Sequence, residues 1–179
     1  MVTLVIGGAR SGKSRFAQSL AAASRQVAFV ATAGCDDAEM AARITRHRQE
    51  RPQHWLTIEA PLRIAVEVAS IAERCEFVLV DCLTIWLSNV SWEYRESRAQ
   101  QLRHIVSQEI ASLVTAAAHT HVVVVTNELG CGLVPETAVG RSFRDLHGWM
   151  NQELAQLADR VYYLVAGIAM PIKQPAGDT

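Results

Sequence analysis

The stretch Gly7-Gly8-Ala9-Arg10-Ser11-Gly12-Lys13-Ser14 matches the phosphate-binding pattern G-x-x-x-x-G-K-[ST] at every fixed position, and it follows an apolar run, Val2 to Ile6, with the form of a buried strand. Glycines in such a loop let backbone N–H groups turn inward on phosphate oxygens. Lys13 is placed to neutralise charge at the β- and γ-phosphates, and the Ser14 hydroxyl to ligate Mg²⁺. Arg15 to Ala23 can begin a helix directly after Ser14, which gives the strand-loop-helix context the motif requires. An ordinary Gly-Ser loop is the alternative, and it would not need that context.

Outward from this loop the chain alternates strands and helices. Val27 to Thr32 is a second apolar run. It ends in Ala31-Thr32-Ala33-Gly34, small residues of the kind that line a close-packed nucleotide edge. Asp36 and Asp37 precede Ala38 to Ile44, a helix start with acids in its first turn, and Pro52 marks its end. Trp55 to Glu59 alternates like a short strand, and Pro61 opens an Ala/Val/Ile-rich helix to about Arg74. Phe77-Val78-Leu79-Val80-Asp81 is a buried parallel strand presenting one carboxylate at its end, a Walker-B-like candidate. Leu83 to Tyr94 is mixed apolar and aromatic with no clear element, and Arg98 to Ala118 forms a long amphipathic helix. His121 to Thr126 is another buried strand, followed by the glycine-containing loop Asn127 to Gly132. Val139 to Ala158 forms a helix, Val161 to Ala166 a last strand, and Pro171 to Thr179 a loose polar tail. The expected fold is α/β: a P-loop NTPase fold, with a mostly parallel sheet and helices on both faces, in a single domain over residues 1–179.

Composition narrows the partners. The chain of 179 residues is 50% hydrophobic, ample for a two-sided core, and its formal net charge of -1 offers no global attraction to nucleic acid or acidic membranes. An anionic ligand must therefore be held locally. Cys35, Cys75, Cys82 and Cys131 form no C-x-x-C pair, which argues against a zinc site or a disulfide framework and for reduced thiols. The chain enters directly into its first strand without a positive n-region, and no apolar run approaches 18 residues, so a cytoplasmic protein without membrane insertion is expected.

A second cationic cluster stands apart from the loop: Arg43, Arg46, His47, Arg48 and Arg51. On a helix, Met40, Ile44 and His47 share a face. One reading is a solvated helix with Glu39 and Glu50 as salt-bridge partners. The other is that the arginines bind nucleotide phosphates while His47 supplies an imidazole nucleophile, which suits nucleotidyl transfer because the neutral ring is nucleophilic near pH 7 and its N–P bond is weak.

The sequence resembles the bifunctional adenosylcobinamide kinase / adenosylcobinamide-phosphate guanylyltransferases of cobalamin biosynthesis over almost its whole length. The resemblance rests on Gly7 to Arg15; on Glu39 to Ile44 with His47, Arg51-Pro52 and His54-Trp55; on Asp81-Cys82-Leu83-Thr84; on Thr126-Asn127-Glu128 with Gly130 and Val134-Pro135-Glu136; and on Phe143-Arg144-Asp145 with Gly148, Asn151 and Gln152. It implies that ATP or GTP phosphorylates the aminopropanol hydroxyl of adenosylcobinamide, and that GTP then gives GMP to that phosphate through a GMP-histidine, releasing pyrophosphate. Carried over by motif, His47 is the nucleophile, Gly7 to Ser14 hold the triphosphate, and Arg48, Gln49, Glu50 and Arg51 are nucleotide contacts. Ala31, Thr32, Ala33, Glu59 and Asp81 are further contacts by resemblance, with Ser14 and Asp81 at Mg²⁺ and a homotrimer as the assembly. Where family members may carry a histidine, Arg46 stands before the nucleophile. His147 and Glu153 occupy variable positions expected to leave the chemistry undisturbed.

Two other readings stand beside this one. A simple small-molecule kinase would use Lys13 and Asp81 without His47 and form no covalent intermediate. A nucleotide-dependent switch is disfavoured because a guanine-reading N-K-x-D is absent. A homo-oligomer is also expected from the apolar content of Leu83 to Tyr94, including Trp86 and Trp92, which exceeds what a small monomer should expose.

Overall fold

The structure is a computed structural model, and it describes residues 1–33 and 52–175. Among them seven strands form one sheet: β1 (Val2–Gly7), β2 (Val27–Ala31), β3 (Leu56–Glu59), β4 (Phe77–Asp81), β5 (His121–Asn127), β6 (Arg160–Val165) and β7 (Ile168–Lys173). Their spatial order is β3-β2-β4-β5-β1-β6-β7. Every neighbouring pair is parallel except β6 and β7. The helices are α1 (Lys13–Leu20), α2 (Ile64–Ile71), α3 (Leu83–Glu93), α4 (Ala99–Ala116) and α5 (Ala138–Leu157). The expected α/β class and parallel sheet are thus observed. The expected helix over Ala38 to Ile44, and the Arg/His cluster with it, lies outside the described residues.

The two sheet faces divide the core by strand periodicity. Val122 and Val124 of β5 join the side chains of α2 to α5, whereas Val123 and Val125 join Ala17 and Ala21 on the α1 side. Because β5 carries valine on both faces, hydrophobic burial alone does not set its register. A slip of one residue would leave the valines buried and would displace the polar residues at its end. Those residues, Thr126 and Asn127, are bonded to α3 and α5, as described below. Among the described residues no helix is long and apolar enough to cross a membrane.

Two expectations are corrected. The chain does not loosen at Pro171: Ile168–Lys173 forms β7, an antiparallel edge strand. Pro171 has no N–H to give to a ladder, but it sits on the edge beside a register irregularity at Val161/Tyr162, where a proline is tolerated. Lys173 then donates to the carbonyls of Ala155 and Gln156 at 3.0 and 2.8 Å, which ties the strand to the electronegative end of α5. The second correction concerns Leu83 to Tyr94, most of which is α3. Trp86 is fully buried and its indole donates to Leu62 O at 2.8 Å, so it is a core residue and gives no support to a subunit contact. Trp92 is 72% exposed.

Candidate functional site

The strand ends at the C-terminal edge of the parallel sheet gather around a cleft of about 770 Å³. Gly7 closes β1 and leads into the loop. A Cβ there would stand 2.6 Å from Leu164 O and 2.7 Å from Ser11 Oγ, so the close approach of β6 requires glycine. The loop passes through the left-handed region at Arg10 (φ 56°) and again at Gly12 (φ 94°) before Lys13 opens α1. No side chain caps α1 and no acid stands in its first turn, so its positive end remains for a bound anion. Lys13 is only 9% exposed, and its ammonium donates to Gly8 O at 2.7 Å. Burying an ammonium is costly, and an anion in the cleft offsets that cost.

The loop is also braced from outside. In the turn between β6 and β7, Ala166 and Gly167 both take positive φ, and Gly167 N donates to Ser11 O at 2.9 Å. A Cβ on Gly12 would come within 3.3 Å of Gly167 Cα.

Asp81 ends β4, two strands from the loop, with β5 between them. Lys13, Ser14, Asp81 and Asn127 line the same cleft. Cys82 lines it too, but burial, reinforced by the Asp81 charge, pushes its thiol up to about 11, so it stays protonated and is a poor nucleophile. Thr32, at the end of β2, is wholly engaged in the fold: its hydroxyl donates to Cys82 O at 2.8 Å and accepts from Cys82 N at 2.9 Å, and its carbonyl accepts from Asn89. It shapes the junction of β2 and β4.

Sequence reading missed a buried polar cluster behind the cleft, built from β5, α3 and α5. Thr84 Oγ1 accepts from Asn127 N at 3.0 Å and from Asn127 Nδ2 at 3.1 Å, and lies 3.0 Å from His147 Nε2. Thr126 Oγ1 donates to Asn151 Oδ1 at 2.9 Å, and Asn151 Nδ2 donates to Asn127 O at 3.0 Å. His147 is 1% exposed. Burial holds its pKa down at about 4, against a smaller opposing effect from Glu128, so the imidazole is neutral at pH 7. His147, expected from sequence only to leave the chemistry undisturbed, is a bonded member of the polar layer under the cleft. The available signal was two polar residues, His147 and Asn151, one turn apart on the buried stripe of α5 that also holds Leu146, Met150 and Leu154.

The structure thus brings Ala9 to Ser14 and Asp81 together on one cleft, with Gly7 and Gly8 leading into it without lining it. Ala31, Thr32, Ala33 and Glu59 lie at neighbouring strand ends but do not line the cleft among the described residues. His47, Arg48, Gln49, Glu50 and Arg51 lie outside the described residues.

Residues 3–172 match the family model described as cobinamide kinase / cobinamide phosphate guanyltransferase. The chain belongs to that family. As a member of the cobinamide kinase / guanyltransferase family it is a bifunctional transferase. Its similar proteins include the bifunctional adenosylcobalamin biosynthesis protein CobU of Escherichia coli K12, 41% identical over 97% of this chain and 100% of that protein. CobP of Pseudomonas aeruginosa PAO1, with the same description, is 41% identical over 97% of this chain and 98% of that one. CobU of Salmonella typhimurium LT2 is 38% identical over 97% and 100%. Among solved structures, an ATPase of a bacterial type III secretion system superposes with a TM-score of 0.59 at 11% identity, covering 95% of this chain and 56% of that one. At that identity the likeness concerns the fold of this kinase / guanyltransferase alone.

Proposed function

We propose that the cleft takes the triphosphate in both reactions of the family: phosphorylation of adenosylcobinamide by ATP or GTP, then transfer of GMP from GTP to the resulting phosphate. The observation that carries this is the placement of Lys13, Ser14 and Asp81 on one cleft, beneath the uncapped end of α1. Backbone N–H groups of Gly7 to Ser14 and the Lys13 ammonium would bind the β- and γ-phosphates. Among the described residues no group of three or more His, Cys, Asp or Glu could hold a metal. A hydroxyl and a carboxylate facing one cleft fit Mg²⁺ arriving with a nucleotide, since Mg²⁺ keeps phosphates and waters as most of its ligands. Ser14 and Asp81 would hold it, where it supplies charge neutralisation at the phosphates.

In the second reaction His47 is the proposed nucleophile. A ring nitrogen attacks the α-phosphorus, the N–P bond forms as the bridge to the β-phosphate breaks, and pyrophosphate leaves with the electron pair. An oxygen of adenosylcobinamide phosphate then attacks the same phosphorus and the N–P bond breaks, returning the imidazole. Arg48, Gln49, Glu50 and Arg51 follow as nucleotide contacts, with Ala31, Ala33 and Glu59 at the adjacent edge. Intact-protein mass spectrometry after incubation with GTP and Mg²⁺ tests the proposal: an acid-labile GMP adduct is expected, and it should vanish in His47→Ala. An adduct that persists there, or maps to His54, overturns the assignment.

Homotrimer assembly, one domain over the whole chain and a cytoplasmic setting belong to the same proposal, supported by the family resemblance. Light scattering that shows only a 19.6 kDa species would remove the first.

A further inference from the structure

The cluster behind the cleft has one property that follows from counting protons. Thr84 Oγ1 already accepts two hydrogen bonds, from Asn127 N and Asn127 Nδ2, so both its lone pairs are used. Its own proton must go elsewhere, and the acceptors in reach are His147 Nε2 at 3.0 Å and the side chain of Cys82, whose sulfur is the weaker acceptor. Thr126 lies 3.3 Å from the same nitrogen, but it gives its proton to Asn151 Oδ1 at 2.9 Å. His147 Nδ1 lies 3.5 Å from Asn151 Nδ2, too long for a strong bond. Donation from Thr84 to His147 selects the imidazole tautomer with a bare Nε2. Burial, which lowers its pKa to about 4, keeps it in a neutral form at working pH.

The direction of that one proton decides how the Asn127 amide lies. While Thr84 donates to His147, it can face only the NH₂ end of Asn127, and the amide oxygen is turned away from it. Asn127 lines the cleft, its residue pairs with Gly7 at the start of the phosphate loop, and β5 separates the loop from Asp81. We propose that Asn127 Oδ1 is the acceptor that orients the attacking hydroxyl of cobinamide in the kinase reaction, and that His147 and Thr84 are positioning residues that fix the amide with its oxygen toward the cleft. In that step the hydroxyl oxygen forms a bond to the γ-phosphorus as the bond to the β-bridging oxygen breaks, and the nucleoside diphosphate leaves with the electron pair. Asn127 aligns the O–H and does not retain its proton, which passes by way of the transferred phosphoryl group to water. The second reaction has no hydroxyl nucleophile, so it depends less on this alignment. The inference rests on the cleft being the triphosphate site.

The test compares kinase turnover with guanylyl transfer from preformed adenosylcobinamide phosphate, using the full chain. Thr84→Val keeps the shape and removes the hydroxyl. It should lower kinase kcat on the order of 10²-fold, with the KM for triphosphate changed by less than about threefold, and lower guanylyl transfer at least about tenfold less than that. Thr84→Ser restores the hydroxyl and should recover most of the kinase rate. Nitrogen-15 NMR should show His147 Nε2 unprotonated at pH 7. Equal loss of both activities in a folded Thr84→Val protein, an unchanged kinase kcat, or a protonated Nε2 would overturn the inference. If Thr84→Val fails to fold, Asn127→Ala, at a half-exposed strand end, is held to the same comparison. Lys13→Ala separates the two ideas: if it retains kinase activity the cleft assignment fails, whereas if only the Thr84 and Asn127 variants are silent this inference fails alone.

Discussion

The two walls of the cleft are built on opposite principles. The wall from Gly7 to Ser14 is made of backbone: eight consecutive residues, two glycines at close approach or positive φ, and a helix end. The wall behind Asn127 is made of side chains: Thr84 from α3, Thr126 and Asn127 from β5, and His147 and Asn151 from α5. A backbone site must be contiguous, so it leaves a pattern in the sequence. A side-chain site is assembled by the fold, and its members stand dozens of residues apart.

Because the first wall binds charge directly, Lys13→Ala should produce the largest loss, about 10²–10³-fold in both transfer reactions, measured as kcat/KM with the fold checked by circular dichroism. A loss in one reaction only would mean that the reactions do not share the wall. The second wall should show its importance in stability. Asn151→Leu leaves Asn127 O and the Thr126 hydroxyl without their partners in a buried layer, at a cost of about 2–4 kcal/mol. For a chain of this size that lowers Tm by about 5–15 °C in a thermal melt. A melt unchanged from the parent would show that water or a rearranged Thr126 replaces the lost bonds.

Acid should act on the same layer more gently. His147 is held below its unfolded value of 6.5, at about 4, so the unfolded chain binds the proton first. Its contribution is complete above pH 6.5 and is lost as pH falls toward 4, by at most about 1.4 kcal/mol per pH unit. His121 adds to the same trend: burial, then the N-terminal ammonium and Arg160, lower it to about 4 against Asp159. Urea midpoints across that range should fall more steeply for the parent than for His147→Gln, and parallel curves would break the assignment. The smallest effect belongs to the backbone wall. Gly8→Ala meets nothing within 4 Å of its new Cβ and should change stability by less than about 0.5 kcal/mol, whereas Gly7→Ala collides with Leu164 O. Comparable melts for the two variants would contradict the packing.

The same contrast explains how much could be read from the sequence. The loop, the parallel strands and the carboxylate of Asp81 were legible because each is a local run with its own period or pattern. The element Ile168–Lys173 was not, since Ala166-Gly167 lacks the Asn-Gly signature of a tight hairpin and Pro171 usually ends strands. Trp86 read as surface because the apolar run around it has no clear helical stripe, being buried along α3 against α2 and α5 as well as the sheet. Thr84, Thr126 and Asn127 stood in family motifs without a role, and His147 was passed over. Nothing in one dimension says that three segments will meet.

The contact between Gly167 and Ser11 has a consequence for how the protein is made. The phosphate loop leaves the ribosome well before its outer wall, which is supplied by a turn some 150 residues later, at Ala166 and Gly167. At roughly 5–20 residues per second, the loop waits on the order of 10–30 s for that support. Nucleotide binding can therefore stabilise the completed fold by mass action but gives the growing chain little help. A chain truncated before Gly167 should not hold triphosphate.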